Sequence, residues 1–327
     1  MVGEDEETLY LCSGARVMPR QQRTQTDVKE VVLFSKTSGI MDNVEDSRVG
    51  EEGLVRAENV VIDITGALAR RGGRTLLDSG VWHSLFSCGS YGLGVKNGVL
   101  STIDGNYNVV SLATIGSRRV RYVKIFDGSD DVIYYSNGEV VGKVVNRVHS
   151  AWTTGAYVGI NSTESQVIEW LPAPPNGCIL ELFNGRLFIA ADNLIYVSEI
   201  RDYSRYRVIP FVFSSKVVML SGVETGLYVG TLGGDVWFLA GASPFEFTFL
   251  KCYDKGVVEG SDVKVMASEI GMPGHNVVVF VVSGEGICLG DGSGNVTNLT
   301  SVVVDFPEST FGASYVTGDK QYIVSLH

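Results

Sequence analysis

Short apolar runs separated by glycine-bearing turns set the rhythm of this chain. Leu227 to Gly241 reads LYVGTLGGDVWFLAG, two runs of strand-forming residues around Gly233-Gly234. Glycine reaches positive φ without a Cβ penalty, as a tight hairpin turn requires, so the stretch predicts a β-hairpin. The same design recurs in YGLGVKNGVLSTI around Asn97-Gly98 and in DVIYYSNGEVVGKVV around Asn137-Gly138. GRLFIAADNLIYVSEI turns near Asp192-Asn193, and EGICLGDGSGNVTNLT within Asp291 to Asn295. Weaker echoes turn at Thr65-Gly66 and at Gly318-Asp319. Asn-Gly between apolar runs is the strongest short-range hairpin signal.

The turns are spaced at roughly 40, 55, 40 and 60 residues, and a period of about 40–50 in a strand-rich chain is that of four-stranded propeller blades. Further strands fill the gaps: RRVRYVKIF, CILELFN, KVVMLSG, DVKVMAS and NVVVFVVS. No long segment carries the 3.6-residue apolar period of a helix. The expectation is an all-β chain, a β-propeller of six blades, with five or seven as neighbouring counts and two stacked β-sandwiches as the other architecture. Five full repeats fit between about Val81 and Asp305. The half repeats at the two ends, AENVVIDITGALARRGGRTLL and FGASYVTGDKQYIVSLH, would pair to close the ring over residues 58–327. Residues 1–57 are polar, with no turn repeat, and read as an N-terminal arm; a disordered tail is the alternative. TLYLC and EVVLFS within it favour ordered docking.

Composition narrows the function. The 327 residues are 45 % hydrophobic and 19 % charged, enough apolar matter for a core. The net charge of −11 argues against a grip on phosphates, though an acidic surface past which DNA slides is compatible with it. Five cysteines, Cys12, Cys88, Cys178, Cys252 and Cys288, form no CxxC pair and read as free thiols in a reducing compartment. The acidic start MVGEDEETLY has no apolar core of a secretory signal, and no apolar run is long enough for a spanning helix.

Candidate chemistry is sparse. His83, His149, His275 and His327 show no metal-ligand spacing, and no GxSxG elbow or Walker pattern occurs. DGSDD and DGSGN offer calcium candidates in Asp127, Asp131, Asp291 and Asn295, but lack the following bidentate Glu of an EF-hand and are built from ordinary turn residues. Glu181 and Glu224 are carboxylates of the kind that line glycosidase propellers, at no fixed separation. Asn161, Asn295 and Asn298 fit glycosylation triplets that mean little without secretion. Two basic clusters, Arg70, Arg71 and Arg74, and Arg119 with Arg121 beside Arg118, are candidate contacts to a neighbouring subunit or partner; solvated hairpin ends are the plainer reading. No catalytic residue or cofactor is expected.

One stretch resembles a known family. Ser38 to Leu77 carries Gly39-Ile40-Met41-Asp42-Asn43, then Ala57-Glu58-Asn59-Val60-Val61-Ile62-Asp63, then Arg70-Arg71-Gly72-Gly73. Further matches follow in order: NGRLFIAADNLIYVSE, GLYVGTLGGDVWFLAGASPFEFT, GEGICLGDGSGNVTNLT and QYIVSLH. Together they resemble tailed-bacteriophage virion β-propeller proteins of the short-tail hub or nozzle type, over about residues 38–327. The resemblance implies a non-catalytic subunit of a ring, six-fold in the better-known relatives, below the portal and head-to-tail adaptor. It implies contacts with its own copies, the adaptor and other tail proteins, genomic DNA passing through the lumen without sequence-specific binding, and a place in the virion after assembly in host cytoplasm. The chain is short for a nozzle, which leaves a long-tailed phage or a minor virion protein as other settings. Two readings from other classes stand beside it: a carbohydrate-active or receptor-binding propeller, and a peptide-binding scaffold.

Overall fold

The computed structural model describes residues 39–41, 48–49, 53–54, 60–62, 65–70, 72–73, 75–154, 170–270, 272, 274–300, 304–318 and 321–327. The expected arm strands and Asn161 lie outside the described residues. The chain divides into two compact units, residues 1–76 with 300–305, and residues 77–299 with 306–327.

In the first unit, β1 (Gly39–Ile40) pairs in parallel with β2 (Gly53–Leu54), and β3 (Val60–Ile62) pairs with β4 (Leu68–Arg70) across the turn at Gly66, whose φ is 81°. Each is a two-stranded ladder.

The second unit is a succession of antiparallel sheets in chain order. Sheet I holds β5 (Trp82–Ser87), β6 (Gly92–Lys96), β7 (Val99–Ile103) and β8 (Val109–Thr114). Sheet II holds β9 (Arg121–Phe126), β10 (Asp131–Ser136), β11 (Val141–Val145) and β12 (Val148–Ala151). Sheet III holds β13 (Ile179–Phe183), β14 (Arg186–Ala191), β15 (Leu194–Glu199) and β16 (Asp202–Tyr206), with β17 (Phe211–Val212) also on β15. Sheet IV holds β18 (Val217–Gly222), β19 (Gly226–Thr231), β20 (Val236–Ala240) and β21 (Thr248–Tyr253). Sheet V holds β22 (Val263–Met266), β23 (Asn276–Val282), β24 (Gly286–Gly290) and β25 (Val296–Asn298). A last hairpin, β26 (Gly312–Val316) with β27 (Tyr322–Leu326), forms a two-stranded sheet. Helical structure among the described elements is one 3-10 turn, Ala267–Ile270.

The turns follow their sequence chemistry. Asn97 and Gly98 have φ of 51° and 80°, the two positive values of a type I′ turn. Gly138, Asp192 and Gly234 carry the positive φ at the other second-to-third-strand turns of sheets II to IV. The fifth turn stands one strand later in its sheet than the other four do in theirs. Asp291 to Asn295 joins β24 to β25, the third and fourth strands, whereas the turn equivalent to the others lies at Gly284 between β23 and β24. The final interval therefore shortens to about 50 residues, within the blade period.

The core lies between sheets. Along β14, Leu187 and Ile189 face a cluster shared with sheet II, and Phe188 and Ala190 face one shared with sheet IV. Along β19, Leu227 and Val229 face sheet III, while Tyr228 faces sheet V. In β23, Val278 and Phe280 face sheet IV, while Val277 and Val279 face the last hairpin through Val316 and Tyr322. A strand sends alternate side chains to opposite faces, so a strand between two packed sheets must be apolar at every position. This is why the second strands read as unbroken runs such as VVVFVV. Sheets I and II meet in the same way through Leu93, Val95, Ile133 and Tyr135.

Candidate functional site at the converging first strands

The first strands of sheets II to V come together. β13 lies against both β9 and β18, and charged side chains on or beside β9, β13, β18 and β22 meet there. Arg121, the first residue of β9, donates from Nη2 to Asp262 Oδ1 at 2.7 Å. Asp262 immediately precedes β22, so this pair joins sheets II and V. Lys264 on β22 donates to Glu181 Oε1 on β13, joining sheets V and III. The same Oε1 accepts from the Gly222 backbone N–H at the end of β18, at 2.8 Å. Lys216 before β18 and Glu259 before β22 pair at 2.6 Å. Glu181 and Asp262 have side chains only 13 % and 11 % exposed.

Burial pushes the Glu181 carboxyl above the usual carboxylate range. The Lys264 charge and the hydrogen bonds from Lys264 and Gly222 oppose that rise without cancelling it, and the Asp262 charge adds to it. The Arg121 guanidinium is shifted the other way from deprotonation: Asp262 is the main cause, and burial works against it.

Arg119 and Arg121 do not lie on one strand, because β9 begins at Arg121 and Arg119 lies in its lead-in. Arg119 donates from Nη1 to the Gly312 carbonyl of β26 and stands 5.0 Å from the centroid of the Phe311 ring. His327 stacks on that ring at 5.3 Å. Arg119 thus ties the start of sheet II to the last hairpin, within the chain. Arg70 is exposed on β4, while Arg71 and Arg74 lie outside the described residues.

The aspartates considered for calcium each bond to groups of the chain itself. Asp291 Oδ1 accepts from the N–H groups of Ser293 and Asn295, and Oδ2 from Asn295 Nδ2. Asp104 does the same with Asn106 and Asn108 in the matching turn of sheet I. A repeated D-G-x-x-N phrase, Asp104 to Asn108 and Asp291 to Asn295, was therefore readable in the sequence as one turn used twice. The Asn108 amide and backbone N–H hold the Asp104 carboxyl below its usual range. Asp127 Oδ1 caps the N–H groups of Ser129 and Asp130, and Asp131 pairs with Lys124 at 2.7 Å. Among the described residues, no three His, Cys, Asp or Glu side chains are placed to hold a metal.

Glu181 stands in the central cluster, whereas Glu224 lies on the loop after β18, 45 % exposed and 3.8 Å from His275. His83 is on β5, its Nδ1 2.9 Å from Ser84 Oγ, which accepts the Val120 N–H. The central network was illegible in sequence, because its partners are 141 and 83 residues apart.

The chain is similar to the extracellular domain of the one component system protein BT4673 from B. thetaiotaomicron, with TM-score 0.51 and 12 % identity, over 76 % of this chain and 31 % of that one. The fold is a β-propeller. Each sheet is thus a blade, and the converging first strands surround the propeller axis. This chain spans about a third of the length of the BT4673 structure. Other similar structures are the N-terminal domain of Nup159 (TM-score 0.46, 11 % identity, 75 % of this chain, 72 % of that one) and BBS1N in complex with ARL6DN (0.47, 11 %, 82 % and 86 %). No family model and no curated protein matches the chain. Among the described residues no helix is long and apolar enough to cross a membrane.

Proposed function

We propose that the chain is a structural virion protein of a tailed bacteriophage, a propeller subunit of the tail hub or nozzle ring below the portal and adaptor. The observation that carries this reading is the ordered succession of phrases from Gly39-Ile40-Met41-Asp42-Asn43 to QYIVSLH, which resembles that family through most of the chain. The propeller has six blades in this reading, β26–β27 belonging to the sixth. It assembles in the host cytoplasm into a homohexameric ring that contacts the adaptor and other tail proteins. The ring retains the genome and then transmits it.

The axial charges support a mechanical role over a catalytic one. Among the described residues, Glu181, Asp262 and Glu259 at that centre are each paired with a Lys or Arg of the same chain, as bracing carboxylates are. Ion pairs link blades across the propeller axis, so DNA passes through the lumen of the ring of subunits rather than along that axis. A net charge of −11 suits passage without adhesion.

Quantitative mass spectrometry of purified phage particles, counting this chain against the portal protein, tests the proposal. A fixed ring-like ratio is expected. Absence of the chain from particles overturns the reading and turns attention to glycan and peptide screens.

A further inference from the structure

The cross-axis pairs do more than fill space. Apolar clusters hold neighbouring blades together, whereas Glu181–Lys264 and Arg121–Asp262 tie blades that are not neighbours: III to V, and II to V. Apolar packing does not respond to protons; a buried carboxylate does. Of the two cross-axis carboxylates, Glu181 makes two ties at once through one oxygen, to Lys264 of blade V and to the Gly222 N–H of blade IV.

We propose that Glu181 is a proton-operated latch across the propeller axis. The carboxylate holds Lys264 and the end of β18, and the carboxylic acid releases Lys264 and weakens the bond from the Gly222 N–H, so that blades III and V lose their direct tie while the packed blades stay intact. This inference is independent of the virion reading.

The groups that bear on Glu181 are few. From blade V, Lys264 favours its charge and Asp262 opposes it; from blade IV, the Gly222 N–H favours it. From blade II, Arg121 is held by Asp262 and senses both Glu259 and Glu181. Lys216 of blade IV is occupied by Glu259. Burial is the dominant influence, so protonation begins at a higher pH than for a solvated glutamate.

The sign separates a latch from acid unfolding. A carboxyl whose pKa is raised by folding binds protons more readily in the native state, so this group's contribution to stability grows as pH falls through its folded value toward its unfolded value. Acid acting on Glu181 therefore loosens its ties to Lys264 and to the Gly222 N–H without driving global unfolding.

The test uses the full chain. Hydrogen exchange at the Gly222 amide and along β22, corrected for the intrinsic pH dependence, is followed from neutral to mildly acidic pH, beside an NMR titration of the Glu181 carboxyl. Wild-type protection is expected to fall roughly tenfold at these sites on acidification, the scale of one charge-assisted hydrogen bond, with β14 and β19 unchanged. Glu181→Gln, which keeps an acceptor but no charge, should show the loosened pattern at every pH. Lys264→Met provides the same readout from the other partner if Glu181→Gln folds poorly. Protection that does not change with pH, or a transition that persists unchanged in both variants, overturns the proposal.

Discussion

Arg121 and Asp262 are 141 residues apart in the chain and 2.7 Å apart in the fold. One opens the first strand of blade II and the other leads into the first strand of blade V, so their contact exists only when the blades between them have closed around the axis. Removing one partner leaves a mostly buried charge, a costlier change than removing both. Arg121→Ala and Asp262→Ala are each expected to lower unfolding stability by about 2–3 kcal/mol in urea titrations, and the double variant by less than the sum. Strict additivity would show that the pair does not couple.

Tyr135 on β10 lies opposite Gly142 on β11, and the ring covers the glycine: a Cβ there would stand 2.5 Å from Tyr135 Cζ. Tyr135 is fully buried between blades I and II. Gly142→Ala is expected to cost about 1–3 kcal/mol through overpacking, read as a lower urea midpoint with an unchanged m-value. A neutral outcome would mean that the ring can swing aside.

Asp104 and Asp291 each accept two backbone N–H groups and one Asn side-chain amide. These are turn-closing bonds. Chelator and added calcium should leave the melting temperature unchanged, and Asp291→Ala should lower stability by about 1 kcal/mol, the scale of a lost local cap. A calcium-dependent rise in melting temperature would favour the cation reading.

Folding lowers the Asp104 and Asp127 carboxyls and raises that of Glu181. For the lowered groups, stability is present above their unfolded value and lost as pH falls through their folded value; for Glu181 the contribution has the opposite sign. Comparing wild type with Glu181→Gln in urea titrations between neutral and acidic pH isolates the difference. The stability of the variant relative to the wild type should fall as pH falls from neutrality. A relative stability that rises in acid would contradict the raised value.

Burial pushes the Cys288 thiol up to about 12, and the residue is fully buried between blades IV and V. Site-resolved labelling with a thiol reagent at mildly alkaline pH should leave Cys288 unmodified in the native protein and label it after unfolding, because the thiolate is the reactive form. Rapid native labelling would show that this core opens locally.

The hairpins were determined by sequence alone. Asn97-Gly98, Asn137-Gly138 and Gly233-Gly234 form turns because local backbone chemistry permits little else between two apolar runs. Unbroken runs such as VVVFVV likewise announced strands, and the packing of neighbouring sheets decided that both their faces are covered. Local signals do not say which strands of a blade a turn connects: Asp291 to Asn295 joins a third strand to a fourth, where Asn97-Gly98 joins a second to a third. The meeting of Arg121 with Asp262, of Lys264 with Glu181, and of Arg119 with Gly312 was decided by tertiary structure alone. These contacts depend on several blades arriving around a common axis, and no spacing along the chain encodes which charges face each other across it.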